Sequence, residues 1–100
     1  MAKLLRERPS VVLQKNRQRV LDLIAQYGGS DVRVFGSVAS GDDTPDSDVD
    51  LIVRFAPGSI GFTKLIALED ELSAALGVPV DVISAGSERI QIVSRDAVAL

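Results

Sequence analysis

The run Val49-Asp50-Leu51-Ile52-Val53-Arg54-Phe55 constrains this chain more than any other segment. Val49, Leu51, Val53 and Phe55 are bulky and apolar, and they alternate with Asp50, Ile52 and Arg54. A period of two in β-branched and aromatic residues specifies a strand with one face in a core and the other free for different use. Turn-forming residues lead into it (Gly41-Asp42-Asp43-Thr44-Pro45-Asp46-Ser47) and Ala56-Pro57-Gly58-Ser59 ends it. The fold must therefore include a sheet whose apolar layer covers positions 49, 51, 53 and 55.

Two shorter runs offer partners for this strand: Val32-Arg33-Val34-Phe35, and Val78-Pro79-Val80-Asp81-Val82-Ile83, where Pro79 points to a strand start or a sheet edge. Helical spacing supplies the covering layer. Pro9-Ser10 opens a helix over residues 10–27 that carries Leu13, Val20, Ile24 and Tyr27 on one face and stops at Gly28-Gly29. Leu65, Leu68, Leu72 and Leu76 form the stripe of another helix ending at Gly77, with Glu69, Asp70 and Glu71 turned to water. Gly36-Ser37 and the small residues after it read as a tight turn into a short helix, and residues 87–100 read as helical. The expected fold is α/β (α+β), a small mixed three-stranded sheet packed with helices in one domain spanning residues 1–100.

Composition narrows the chemistry. The chain of 100 residues has no cysteine and no histidine, which excludes disulfides, thiolate zinc sites, histidine proton shuttles and Ser-His-Asp systems. Any metal must be held by oxygen. No stretch has the apolar length of a membrane span, and a cytoplasmic protein is expected. The formal charge of −3 combines a basic segment over residues 1–19 with an acidic remainder. The basic segment reads as the solvated face of the first helix, and direct nucleic-acid binding is not expected.

Three aspartates interrupt apolar strands: Asp48 and Asp50 at the start of one, Asp81 in another. Residues i and i+2 of a strand share a face, so Asp48 and Asp50 are expected side by side, with Asp81 joining them if its strand lies adjacent. Carboxylates about 4 Å apart repel by roughly 4 kcal/mol at an effective dielectric near 20, a cost that a divalent cation removes. Magnesium, with its preference for hard oxygen ligands and phosphate co-ligands, suits such a group. Gly36-Ser37 offers backbone N–H groups and a hydroxyl to a polyphosphate. Two rival motifs fail: Asp42-Asp43 stands where a P-loop needs Lys-Ser/Thr, and Leu51 replaces the glycine of a calcium loop that Asp46, Asp48 and Asp50 would otherwise begin. Asp42, Asp43 and Asp46 are read as solvated loop acids, Tyr27 as a core-edge aromatic, and Arg33 and Arg54 as within reach of phosphates.

Gly36-Ser37, then Asp48-x-Asp50 after ten residues, then Asp81 one strand later, resembles the minimal nucleotidyltransferase family of the DNA-polymerase-β-like superfamily. The likeness runs through Val34-Phe35-Gly36-Ser37-Val38-Ala39, Pro45 to Val53 and Val80-Asp81-Val82-Ile83. It implies a nucleotidyltransferase fold in which Gly36 and Ser37 hold the triphosphate of ATP, Asp48 and Asp50 bind two Mg²⁺ ions, and Asp81 holds the catalytic one. It further implies an antitoxin that transfers AMP to a hydroxyl, such as a tyrosine, of a HEPN-type ribonuclease toxin with which it forms a hetero-oligomer. A catalytically inactive antitoxin acting by contact is the alternative. Ser40 stands where family members often carry arginine.

Overall fold

The computed structural model describes residues 7–85 and 97–100. In chain order the elements are α1 (Pro9–Lys15), α2 (Arg17–Gln26), β1 (Gly29–Phe35), α3 (Gly36–Ser40), β2 (Val49–Phe55), α4 (Phe62–Leu76), β3 (Val80–Ser84) and β4 (Val98–Ala99). They form one mixed sheet in the order β3-β2-β1-β4. β1 runs antiparallel to β2 and β4, and β2 runs parallel to β3. A parallel neighbour needs a crossover, and α4 supplies it between β2 and β3.

Period-two patterning decides which face is covered. Val49, Leu51, Val53 and Phe55 of β2, Val32 and Val34 of β1, and Val80 and Val82 of β3 join Leu13, Val20, Ile24, Leu68, Leu72 and Leu76 in one buried cluster. The helical stripes expected from spacing are the ones that meet the sheet. Gly29 lets α2 come close: a Cβ there would lie 2.5 Å from Ile24 Cγ2 and 2.6 Å from Val53 Cγ1. The second face carries Asp50, Ile52 and Arg54 of β2, Arg33 and Phe35 of β1, and Asp81 and Ile83 of β3.

Two expectations change. The helix over residues 10–27 is two helices, broken at Asn16 (φ −109°, ψ 17°), whose side-chain Nδ2 donates to the Val12 carbonyl at 2.9 Å. Asparagine competes in this way with the helical ladder. The sheet has a fourth strand: Val98–Ala99, expected in a helical tail, pairs with Arg33 and Val34. The rest of that tail, residues 87–96, lies outside the described residues, as do residues 1–6 of the basic segment.

Of the acids expected in water, Glu69 is half-buried and Glu71 is exposed, and both hold hydrogen bonds. Glu69 Oε2 accepts the Val82 N–H at 2.7 Å. Glu71 Oε2 accepts the Tyr27 hydroxyl at 2.5 Å, and that bond is the main reason the Tyr27 pKa lies above its ordinary value, with burial and the nearby negative charge adding to it. Tyr27 is otherwise the half-buried core-edge aromatic expected. Among the described residues, no helix is long and apolar enough to cross a membrane.

Candidate functional site

β1 ends at Phe35, which pairs with Asp50, and the chain turns at Gly36 into α3. Gly36 has φ +74°, and a Cβ built on it would lie 2.6 Å from Asp50 Oδ2. Glycine is therefore required twice over, for backbone conformation and for the approach of the Asp50 carboxylate to the turn. Ser37 follows in the first turn of α3 and is half-buried. On the other side of β2, Asp50 is the direct register partner of Asp81 in the parallel pair. Neighbouring strands lie about 4.8 Å apart, and register partners of a parallel pair share a face. Gly36, Asp50 and Asp81 thus form a row across β1, β2 and β3 on the face away from the main core.

Asp50 is half-buried and Asp81 exposed. Asp48 is exposed and precedes β2, so strand alternation does not fix its direction as it does for Asp50 and Asp81. Among the described residues, no group of three or more acidic side chains is placed to hold a metal ion, so the expected gathering of Asp48 with Asp50 and Asp81 is not seen. Mutual repulsion of carboxylates favours such an open arrangement. The donor set still fits magnesium, which commonly takes one or two carboxylates and completes its shell with water and substrate phosphate. The Gly36 cradle, which a side chain would fill, adds backbone at the same place.

A cleft of about 390 Å³, lined in part by Pro45, Asp46, Ser47, Val78 and Pro79, opens where β2 and β3 begin. None of the five expected site residues lines it. Arg33 and Arg54, on the same sheet face, are held by Asp31 at 3.5 Å and 3.7 Å. Ser40, in the position where arginine is frequent, hydrogen-bonds to the Ser37 carbonyl at 3.2 Å and to Asp42 at 3.1 Å.

Sequence reasoning missed the support of this site. Asp43, expected in water, has a fully buried side chain that ion-pairs with Arg8 at 2.8 Å and accepts the Ser10 N–H at 2.8 Å. Arg8 also donates to the carbonyls of Gly41, at 2.8 Å, and Asp43, at 3.0 Å. The start of α1 is thereby tied to the segment that leaves α3. Burial pushes the Asp43 carboxyl up, but the hydrogen bonds from Ser10 and Arg8 and the Arg8 charge outweigh it and hold the pKa below the ordinary value. Contacts 33 to 35 residues apart leave no local signature in the chain.

Comparison with known proteins agrees with this layout. The family model described as the nucleotidyltransferase domain matches residues 13–99. Protein adenylyltransferase MntA of Thermococcus cleftensis is 38% identical over 66 residues, 66% of this chain and 66% of that protein. A Methanocaldococcus jannaschii protein named as a protein adenylyltransferase is 32% identical over 76 residues, covering 76% of this chain and 74% of its own. A solved minimal nucleotidyltransferase structure superposes with a TM-score of 0.75 at 39% identity, covering 91% of this chain and 95% of that one. A crystal structure of a toxin–antitoxin with AMP-PNP shares the fold, with a TM-score of 0.69 at 20% identity over 84% of this chain and 71% of its own. With the family model spanning most of its length, and the Gly-Ser turn and aspartate strands arranged in one row, the chain belongs to the nucleotidyltransferase domain family.

Proposed function

We propose that the protein is a magnesium-dependent protein adenylyltransferase and antitoxin, which transfers AMP from ATP to a hydroxyl, a tyrosine in the first instance, of a HEPN-type ribonuclease toxin. The observation that carries this reading is the register of Asp50 with Asp81, next to a Gly36 turn where a Cβ would lie 2.6 Å from Asp50 Oδ2. The names of the relatives, and the toxin–antitoxin neighbour solved with AMP-PNP, support the donor and the class of partner.

In this reading Asp48, Asp50 and Asp81 hold two magnesium ions, which when bound neutralise charge on the phosphates and on the carboxylates themselves. The Gly36-Ser37 turn orients the triphosphate through backbone N–H groups and the Ser37 hydroxyl, a contribution of alignment. Asp81, exposed at the outer end of the row, accepts the proton of the incoming hydroxyl. The hydroxyl oxygen bonds to the α-phosphorus as the bond to the bridging oxygen breaks, and pyrophosphate leaves. The protein and its toxin form a hetero-oligomer, in which the toxin presents the acceptor.

Ser40 favours one competing reading. Its hydroxyl is engaged within the turn and it brings no positive charge to the phosphates, which suits an antitoxin that neutralises its partner by contact alone. The two readings separate when the protein is incubated with a HEPN-type toxin, Mg²⁺ and ATP labelled at the α-phosphate. Transfer predicts label on the partner that disappears with Asp48→Asn or with chelation. Full neutralisation by Asp48→Asn without label would establish the contact mechanism instead.

A further inference from the structure

Among the described residues β3 is an edge strand, so half of its backbone groups have no strand of that set to pair with. Its inner side is satisfied by β2: Val49 N–H donates to the Pro79 carbonyl at 2.9 Å, and Ala85 N–H to the Val53 carbonyl at 2.7 Å. Two of the outward N–H groups belong to Val80 and Val82, the residues that flank Asp81. Both are taken by α4: Val80 N–H donates to Ser73 Oγ at 3.0 Å and Val82 N–H to Glu69 Oε2 at 2.7 Å. Glu69 and Ser73 are i and i+4 on the helix, about 6.0 Å apart along its axis, and Val80 and Val82 are i and i+2 on the strand, about 6.6 Å apart. The two repeats match, so two side chains of one helix act as a short substitute strand along the β3 edge.

We infer that Glu69 and Ser73 are positioning residues for Asp81, holding β3 in the register that keeps the Asp81 carboxylate opposite Asp50. An edge strand in a parallel pair is held by the weaker ladder on one side only, and a slip of one residue would turn Asp81 to the core face and a valine to the site. Sliding of β3 along β2 breaks both α4 bonds at once, and the Glu69 bond is charge-assisted, the stronger kind. The pair also occupies the donors on which another strand could add. This role rests on the proposed transfer reaction for its effect on turnover, and on geometry alone for its effect on the strand.

The test compares Glu69→Leu, Glu69→Gln and Ser73→Ala in the full chain, with two readouts. Amide hydrogen exchange at Val80 and Val82 reports the strand without any chemistry, and labelling of the HEPN-type toxin gives kcat and KM for Mg²⁺-ATP. Glu69→Leu is expected to speed exchange at Val82 by roughly tenfold or more and to lower kcat by roughly tenfold while leaving KM for ATP within about twofold. Glu69→Gln keeps an acceptor oxygen without the charge and restores most of both. Ser73→Ala, a milder change that guards against misfolding of the leucine variant, speeds exchange at Val80 and lowers kcat to a smaller extent. Unchanged exchange at Val82 in Glu69→Leu overturns the pinning, and faster exchange with unchanged kcat overturns the link to Asp81. Equal loss of kcat in the glutamine and leucine variants would overturn the role of Glu69 as the acceptor that positions Asp81. Absence of label with the wild-type protein would count against the transfer reaction and leave the exchange result to decide the strand.

Discussion

Gly36 shows how a single residue couples the backbone to the chemistry of its neighbour. The left-handed conformation at φ +74° costs an L-residue roughly 1–2 kcal/mol. A methyl group there meets Asp50 Oδ2 at 2.6 Å, and a carboxylate oxygen at the end of a side chain can swing aside. Gly36→Ala is therefore expected to fold, with a loss of about 1–2 kcal/mol that lowers the melting temperature by roughly 4–8 °C per kcal/mol. Its labelling of the partner should fall far more than the folded fraction does, because the displaced oxygen belongs to the residue at the centre of the row. Melting and labelling measured on the same preparation check this. Activity that merely follows the folded fraction would show that the approach of Asp50 to the turn is incidental. The sequence already exposed this residue type at this place, since a glycine directly after an apolar strand reads as a turn; it could not expose the contact, which exists only once β2 pairs with β1.

Elements were legible where their signal is periodic and local. β2 and α4 follow from alternation and from leucines at three- and four-residue steps, and both sit where that reading put them. β4 was not legible because it is two exposed residues long and owes its conformation to β1. The break at Asn16 was hidden because its cause, a side-chain bond to Val12, is a choice between near-equal alternatives. The start of α1 has no side-chain cap of its own; Asp43 supplies one from across the molecule, accepting the Ser10 N–H inside the first turn. Asp43→Ala strips Ser10 and Arg8 of that acceptor and is expected to cost about 1–3 kcal/mol. The pH dependence follows in sign from the lowered carboxyl pKa. The unfolded chain binds the proton more tightly than the folded one, so the contribution of Asp43 is complete above the ordinary carboxylate value and disappears as pH falls through the lower folded value. Denaturant titrations of the wild type and Asp43→Asn should differ most near neutral pH and converge on acidification. A gap that stays constant down to strongly acidic pH would mean that Asp43 contributes through packing rather than charge.

At the scale of the whole molecule, one sheet divides the labour between its two faces. One face meets α1, α2 and α4 and carries the apolar cluster. On the other, half-buried Asp50 sits beside exposed Asp81. A ligand that neutralises this face should therefore stabilise the entire fold, because it binds only where β1, β2 and β3 are assembled. Mass action sets the size: at one hundred times its dissociation constant a ligand adds about 2.7 kcal/mol, which for a domain of this length raises the melting temperature by roughly 11–22 °C. Mg²⁺ with a non-hydrolysable ATP analogue is expected to approach this shift in the wild type, and much less in the presence of chelator. Asp50→Asn removes one carboxylate from the row and should lose most of the ligand-induced rise. An Asp50→Asn protein that keeps the full rise would place the nucleotide elsewhere on the molecule, and one that melts far below the wild type would mean that Asp50 serves the fold before it serves the site.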